Sequence, residues 1–79
     1  MLLQLSFTLD TNEIVFMARC FRSFDDVYDY LEENPYFHAF LTSNNTVRQL
    51  HCNDIIRIEM HDAYDERIKR VLIDVNNPA

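Results

Sequence analysis

LLQLSFTLDTNEIVFMARCF, residues 2–21, decides the fold of this chain. In residues 2–9, Leu3, Leu5, Phe7 and Leu9 fall on one side, and Gln4, Ser6 and Thr8 on the other. That two-residue period is the mark of a half-buried strand. Asp10, Thr11 and Asn12 supply turn chemistry. Residues 13–21 then resume the alternation, with Ile14, Phe16, Ala18 and Cys20 set against Val15, Met17, Arg19 and Phe21. Two such runs around a short polar turn predict an antiparallel hairpin. Both sides of the second run are largely apolar, which predicts a central strand or one covered on its second face.

Immediately beyond lies SFDDVYDYLEENP, residues 23–35, with a different period. Phe24, Val27, Tyr28 and Leu31 recur at helical spacing and predict the buried stripe of a short amphipathic helix over about 24–33. Ser23 is a good N-cap, and Asp26, three residues on, is placed to reach back as in a capping box. Pro35 stops the helix, because it lacks an N–H and pushes Asn34 out of the α region. The helix carries Asp25, Asp26, Asp29, Glu32 and Glu33 and no Lys or Arg. Asp25, Asp29 and Glu32 line a solvent face.

Strand patterns follow the helix. Residues 36–42, YFHAFLT, form an apolar run, and Ser43, Asn44, Asn45 and Thr46 give a second hairpin signal. Residues 47–52 are a weakly patterned fourth candidate. After a bend at Asn53 and Asp54, residues 55–60 make a strong strand, with Ile56, Ile58 and Met60 opposite Arg57 and Glu59. Residues 61–66 read two ways. Asp62 caps a helix through Tyr64, Ile68 and Leu72, or it lies in a turn before a last strand within 67–75. The alternation of Val71, Ile73 and Val75 favours the strand. Residues 76–79 read as a frayed tail. The predicted fold is α+β: a small antiparallel sheet of about five strands, order β-β-α-β-β-β, with the one short helix on one face. The whole chain, 1–79, is one domain.

Composition narrows the function. Seventy-nine residues with a 48 % hydrophobic share and ten Phe and Tyr exclude a disordered tail. No apolar run approaches the ~18–20 residues that span a bilayer. The N-terminus lacks a basic region ahead of its apolar stretch, which argues against a signal peptide. Two cysteines, Cys20 and Cys52, fit a reducing compartment, so a cytoplasmic location is expected. The net charge of −6 argues against direct nucleic-acid binding and against an anionic membrane surface. Arg67, Lys69 and Arg70 form the basic cluster, a charge asymmetry that supports self-association. Glycine is absent, which excludes phosphate-cradling loops, so no nucleotide cofactor is expected.

Catalytic and metal chemistry lack their patterns. His38, His51, His61, Cys20 and Cys52 stand at no zinc spacing, and His51 and Cys52 are adjacent, hence on opposite strand faces. Both cysteines are expected to be free thiols without metal. Cys20 lies near the helix N-terminus, but an apolar strand makes it a core thiol rather than an activated nucleophile. Paired carboxylates for acid–base work need contrasting environments and a cleft, and a calcium loop needs a glycine the chain lacks. No catalytic, metal or cofactor residue is assigned.

The expectation is a small non-catalytic protein-binding module or regulator. Its acidic helix face, Asp25, Asp29, Glu32 and Glu33 with Tyr30 and Tyr36 at the rim, meets a basic protein surface. The alternative is an acidic mimic of DNA that inhibits a nucleic-acid-binding protein; an enzyme ranks below both. A small sheet with one helix leaves a face or edge uncovered, and a homodimer is the expected cover, through Val15, Met17, Phe37 or the last strand.

Overall fold

A computed structural model describes residues 1–41 and 46–72. The hairpin signal at 43–46 and the tail at 76–79 fall largely outside the described residues. The elements run β1 (Leu2–Leu9), β2 (Ile14–Cys20), α1 (Phe24–Glu33), β3 (Tyr36–Leu41), β4 (Thr46–His51), a 3-10 turn (Cys52–Asp54), β5 (Ile55–Asp62) and β6 (Lys69–Leu72). The strands form one six-stranded sheet in the order β4-β3-β2-β1-β5-β6. Every neighbouring pair is antiparallel. The α+β fold with one helix is as predicted, but the sheet has six strands where about five were expected, and the weakly patterned 47–52 run is a true edge strand as far as His51, with Cys52 in the 3-10 turn. Of the two readings of 61–75, the strand is right at Lys69–Leu72; residues 73–75 lie outside the described set.

The β1–β2 hairpin closes through Leu9 N–H to Glu13 O at 2.8 Å and Asn12 N–H to Leu9 O at 2.9 Å. Asn12 has φ 71°, the one positive φ among the described residues. In a chain without glycine, asparagine is the residue that takes this left-handed position at least cost. Beside Leu9 the β1–β5 register shifts, so that Thr8 faces Arg57 while Leu9 faces Ile55. The shift is a bulge, and it corrects one predicted alternation. Ile55, Ile58 and Met60 are buried, whereas Ile56 is turned outward.

The core lies between α1 and one face of the sheet. Leu3, Leu5, Phe7 and Leu9 of β1 are buried there with Val15, Phe37, Leu50, Ile58 and Met60. Val27 and Leu31 close it from the helix, and Phe24 and Tyr28 pack at its margin. Phe7 and Phe37 meet at 5.0 Å between ring centroids.

The second face of the sheet has no element over it among the described residues. It carries Ile14, Phe16, Ala18 and Cys20, all exposed. Two predictions are corrected by this. Cys20 is not a core thiol, because β2 turns it to the open side. Val15 and Phe37 are not uncovered apolar residues, because they lie beneath the helix, with Met17 packed against the same core. The covered side of β2 is the Val15 side, and the uncovered apolar side is that of Ile14 and Phe16.

Candidate functional site

Helix α1 is held at both ends by local bonds. Ser23 is extended and its Oγ accepts from Asp26 N–H at 3.3 Å. Asp26 Oδ2 in turn accepts from Arg22 N–H at 3.3 Å, a reciprocal pair one residue displaced from the usual capping box. At the other end Asn34 donates to Tyr30 O from its backbone N–H and from Nδ2, each at 2.9 Å. With both termini tied and Val27 and Leu31 buried, the helix presents a fixed outer surface.

The helix turns about 100° per residue, so the five carboxylates fill a roughly 120° arc opposite the buried stripe. Asp29 sits at its centre, Asp25 and Glu32 lie along one flank, and Glu33 and Asp26 lie along the other. Asp25, Asp29, Glu32 and Glu33 are exposed. Asp29, Glu32 and Glu33 make no ion pair among the described residues. Asp25 and Asp26 stand in the first turn, where the helix dipole favours negative charge. Glu32 and Glu33 stand in the last turn, where it does not, and no basic residue there offsets them.

Each flank is bordered by an arginine from the sheet. Arg70 of β6 donates from Nη1 to Asp25 Oδ1 at 2.7 Å, and its guanidinium lies 5.3 Å from the Phe24 ring centre. On the other flank Arg19 of β2 lies 4.6 Å over the Tyr30 ring and donates to Tyr30 Oη at 3.3 Å. Tyr30 also meets Phe21 edge-on at 5.6 Å. Tyr30 is thus a half-buried wall of a shallow groove of about 280 Å³ shared with Arg19, Asp29 and Glu33.

The structure therefore brings together Asp25, Asp29, Glu32 and Glu33, with Tyr30 on their flank. Tyr36 stands apart. Phe37 is buried on the core side of β3, so Tyr36, one residue earlier, projects to the open side, 62 % exposed and 4.5 Å edge-on to His51. Arg19 and Arg70 were missed as neighbours of the site. The basic cluster around Arg70 is visible in the sequence, but its contact with Asp25 depends on tertiary structure.

Among the described residues, no group of three or more His, Cys, Asp and Glu side chains is arranged to hold a metal ion. No helix among them is long and apolar enough to cross a membrane. Cys20 and Cys52 are not joined in a disulfide. Burial pushes the Cys52 thiol above its usual pKa, with its Sγ 3.7 Å from Leu31 O. No protein-family model, curated protein or solved structure matches the chain.

Proposed function

We propose that this is a small, non-catalytic, cytoplasmic protein-binding module whose acidic helix face docks on a basic protein surface. One observation carries the reading. The carboxylates form a continuous arc on a rigid helix, and two of them, Glu32 and Glu33, sit where the helix dipole opposes them. Residues that weaken their own element without packing or ion-pairing fit a role outside the fold. Exposed charge of this kind speeds association and makes it salt-sensitive. Arg19 and Arg70 border the arc and restrict it to a stripe, which favours a partner with a matching basic ridge or groove.

A narrower form of the same reading is an acidic mimic of DNA. The carboxylates from Asp25 to Glu33 occupy about 12 Å of helix axis at 1.5 Å per residue. The same length of duplex carries about seven phosphate charges, against five carboxylates here, one of which, Asp25, is engaged by Arg70.

The test is triple charge reversal, Asp25→Lys, Asp29→Lys and Glu32→Lys, followed by affinity capture from the native host. The folded state should survive, as read by circular dichroism, and capture should be lost. A triple variant that retains its partner with unchanged affinity and salt dependence overturns the proposal. Competition of the captured partner's DNA binding by the wild-type protein separates DNA mimicry from the general reading.

A further inference from the structure

The open face of the sheet is independent of the acidic helix, and its strand pairing orders it into rows. Phe16, Ser6 and Glu59 stand opposite one another across β2, β1 and β5, and Ile14, Thr8 and Arg57 form the adjacent row. Rows on one face are two residues apart, about 7 Å. Ile14 and Phe16 are exposed, and Ser6 and Thr8 are small and only half-buried. A shallow hollow beside Phe16 is lined by Gln4 and Ala18. Arg57 and Glu59 project from the same face, 3.6 Å apart. That is longer than a well-formed charge-assisted bond, and both side chains remain about half exposed, at 49 % and 45 %.

We propose that this face is the interface of a two-fold dimer, with a second copy of this chain as its occupant. A two-fold axis lying between the facing sheets and crossing the strands midway between the two rows superposes unlike rows. Phe16 of one copy then meets Ile14 of the other, and Glu59 meets Arg57, each contact occurring twice. The small Ser6 and Thr8 meet between them, which lets two sheets approach to the ~10 Å of a packed sandwich. The arrangement is self-complementary in both charge and apolar character, as an isologous interface requires. An axis running along β1 instead would set Glu59 over Phe16 and bury a carboxylate against a ring, so the charge pattern selects the first axis.

The test is sedimentation of the full chain from micromolar to near-millimolar concentration, with four variants. The wild-type protein should dimerise. Arg57→Glu and Glu59→Arg should each weaken the dimer by about tenfold or more, since each sets like charges against one another. The double swap R57E/E59R restores opposite charges across the axis and should return affinity to near wild type. Phe16→Asp should give a monomer with an unchanged circular dichroism spectrum. A monomeric wild-type protein overturns the proposal. So does a double swap no tighter than the single variants, or single variants that dimerise as the wild type does.

Discussion

Arg70 Nη1 donates to Asp25 Oδ1 at 2.7 Å across 45 residues of sequence. The bond ties the last described strand to the first turn of the helix, and the same guanidinium covers Phe24 and Tyr28 at 5.3 and 6.0 Å. Its two roles separate by mutation. Arg70→Ala should destabilise the fold more than Asp25→Asn, because it removes the cover of both rings as well as the ion pair. Urea denaturation of the two single variants and the double variant measures this. The coupling between the two residues should shrink with added salt, whereas the cost of Arg70→Ala in the Asp25→Asn background, which reports the ring contacts, should change less.

Leu31 anchors the helix to the sheet and is buried. Leu31→Ala should cost about 2–5 kcal/mol, because truncation leaves a cavity between two rigid layers. Denaturant midpoints at constant slope check it.

Glu32 is exposed in the last helical turn with no basic residue beside it. Glu32→Lys should therefore stabilise the fold by about 0.3–1 kcal/mol, by placing positive charge at the negative end of the helix dipole. Under the proposed function the same variant should bind its partner more weakly. A rise in melting temperature together with weaker capture identifies a residue kept at the expense of stability.

Glu13 receives Arg48 Nη1 at 2.9 Å and Thr11 Oγ1 at 3.0 Å. The Arg48 bond, then the Thr11 bond, lowers the Glu13 carboxyl below its ordinary range. A carboxyl lowered in the folded state contributes stability above its unfolded pKa. The contribution is lost as pH falls through the folded pKa. Arg48→Met should move the Glu13 titration upward toward the ordinary glutamate value and flatten that part of the acid limb. Carboxyl-detected NMR titration of both proteins reads the shift directly.

Most of the fold was legible because local chemistry and burial agree. Leu3, Leu5, Phe7 and Leu9 alternate and are all buried, and Ser23 and Pro35 mark the two ends of α1. The side of β2 that faces the core was not legible, because Ile14 and Phe16 are as apolar as Val15 and Met17. Periodicity reports two faces but not which one the helix covers. Ile56 was misplaced because a bulge resets the phase of an alternating run. The carboxylates of the candidate site were legible as a helical arc. Tyr36 was grouped with them by closeness in sequence, which a turn after Pro35 makes a poor guide to closeness in space. Arg70 was not linked to the site, since a contact 45 residues away leaves no local trace.

β1 occupies an interior position of the sheet, between β2 and β5. During synthesis its first neighbour arrives at once, since residues 14–20 follow directly, but its second, Ile55–Asp62, is made only after the helix, β3 and β4. Until then the nascent chain holds the strand that supplies Leu3, Leu5, Phe7 and Leu9 to the core with one hydrogen-bonding edge vacant. Such an edge is a template for any extended chain nearby. The interval between the emergence of β4 and the docking of β5 is therefore when a ribosome-bound intermediate would be most prone to aggregate, and substitutions that slow β5 docking should lower soluble yield even where the finished protein is stable.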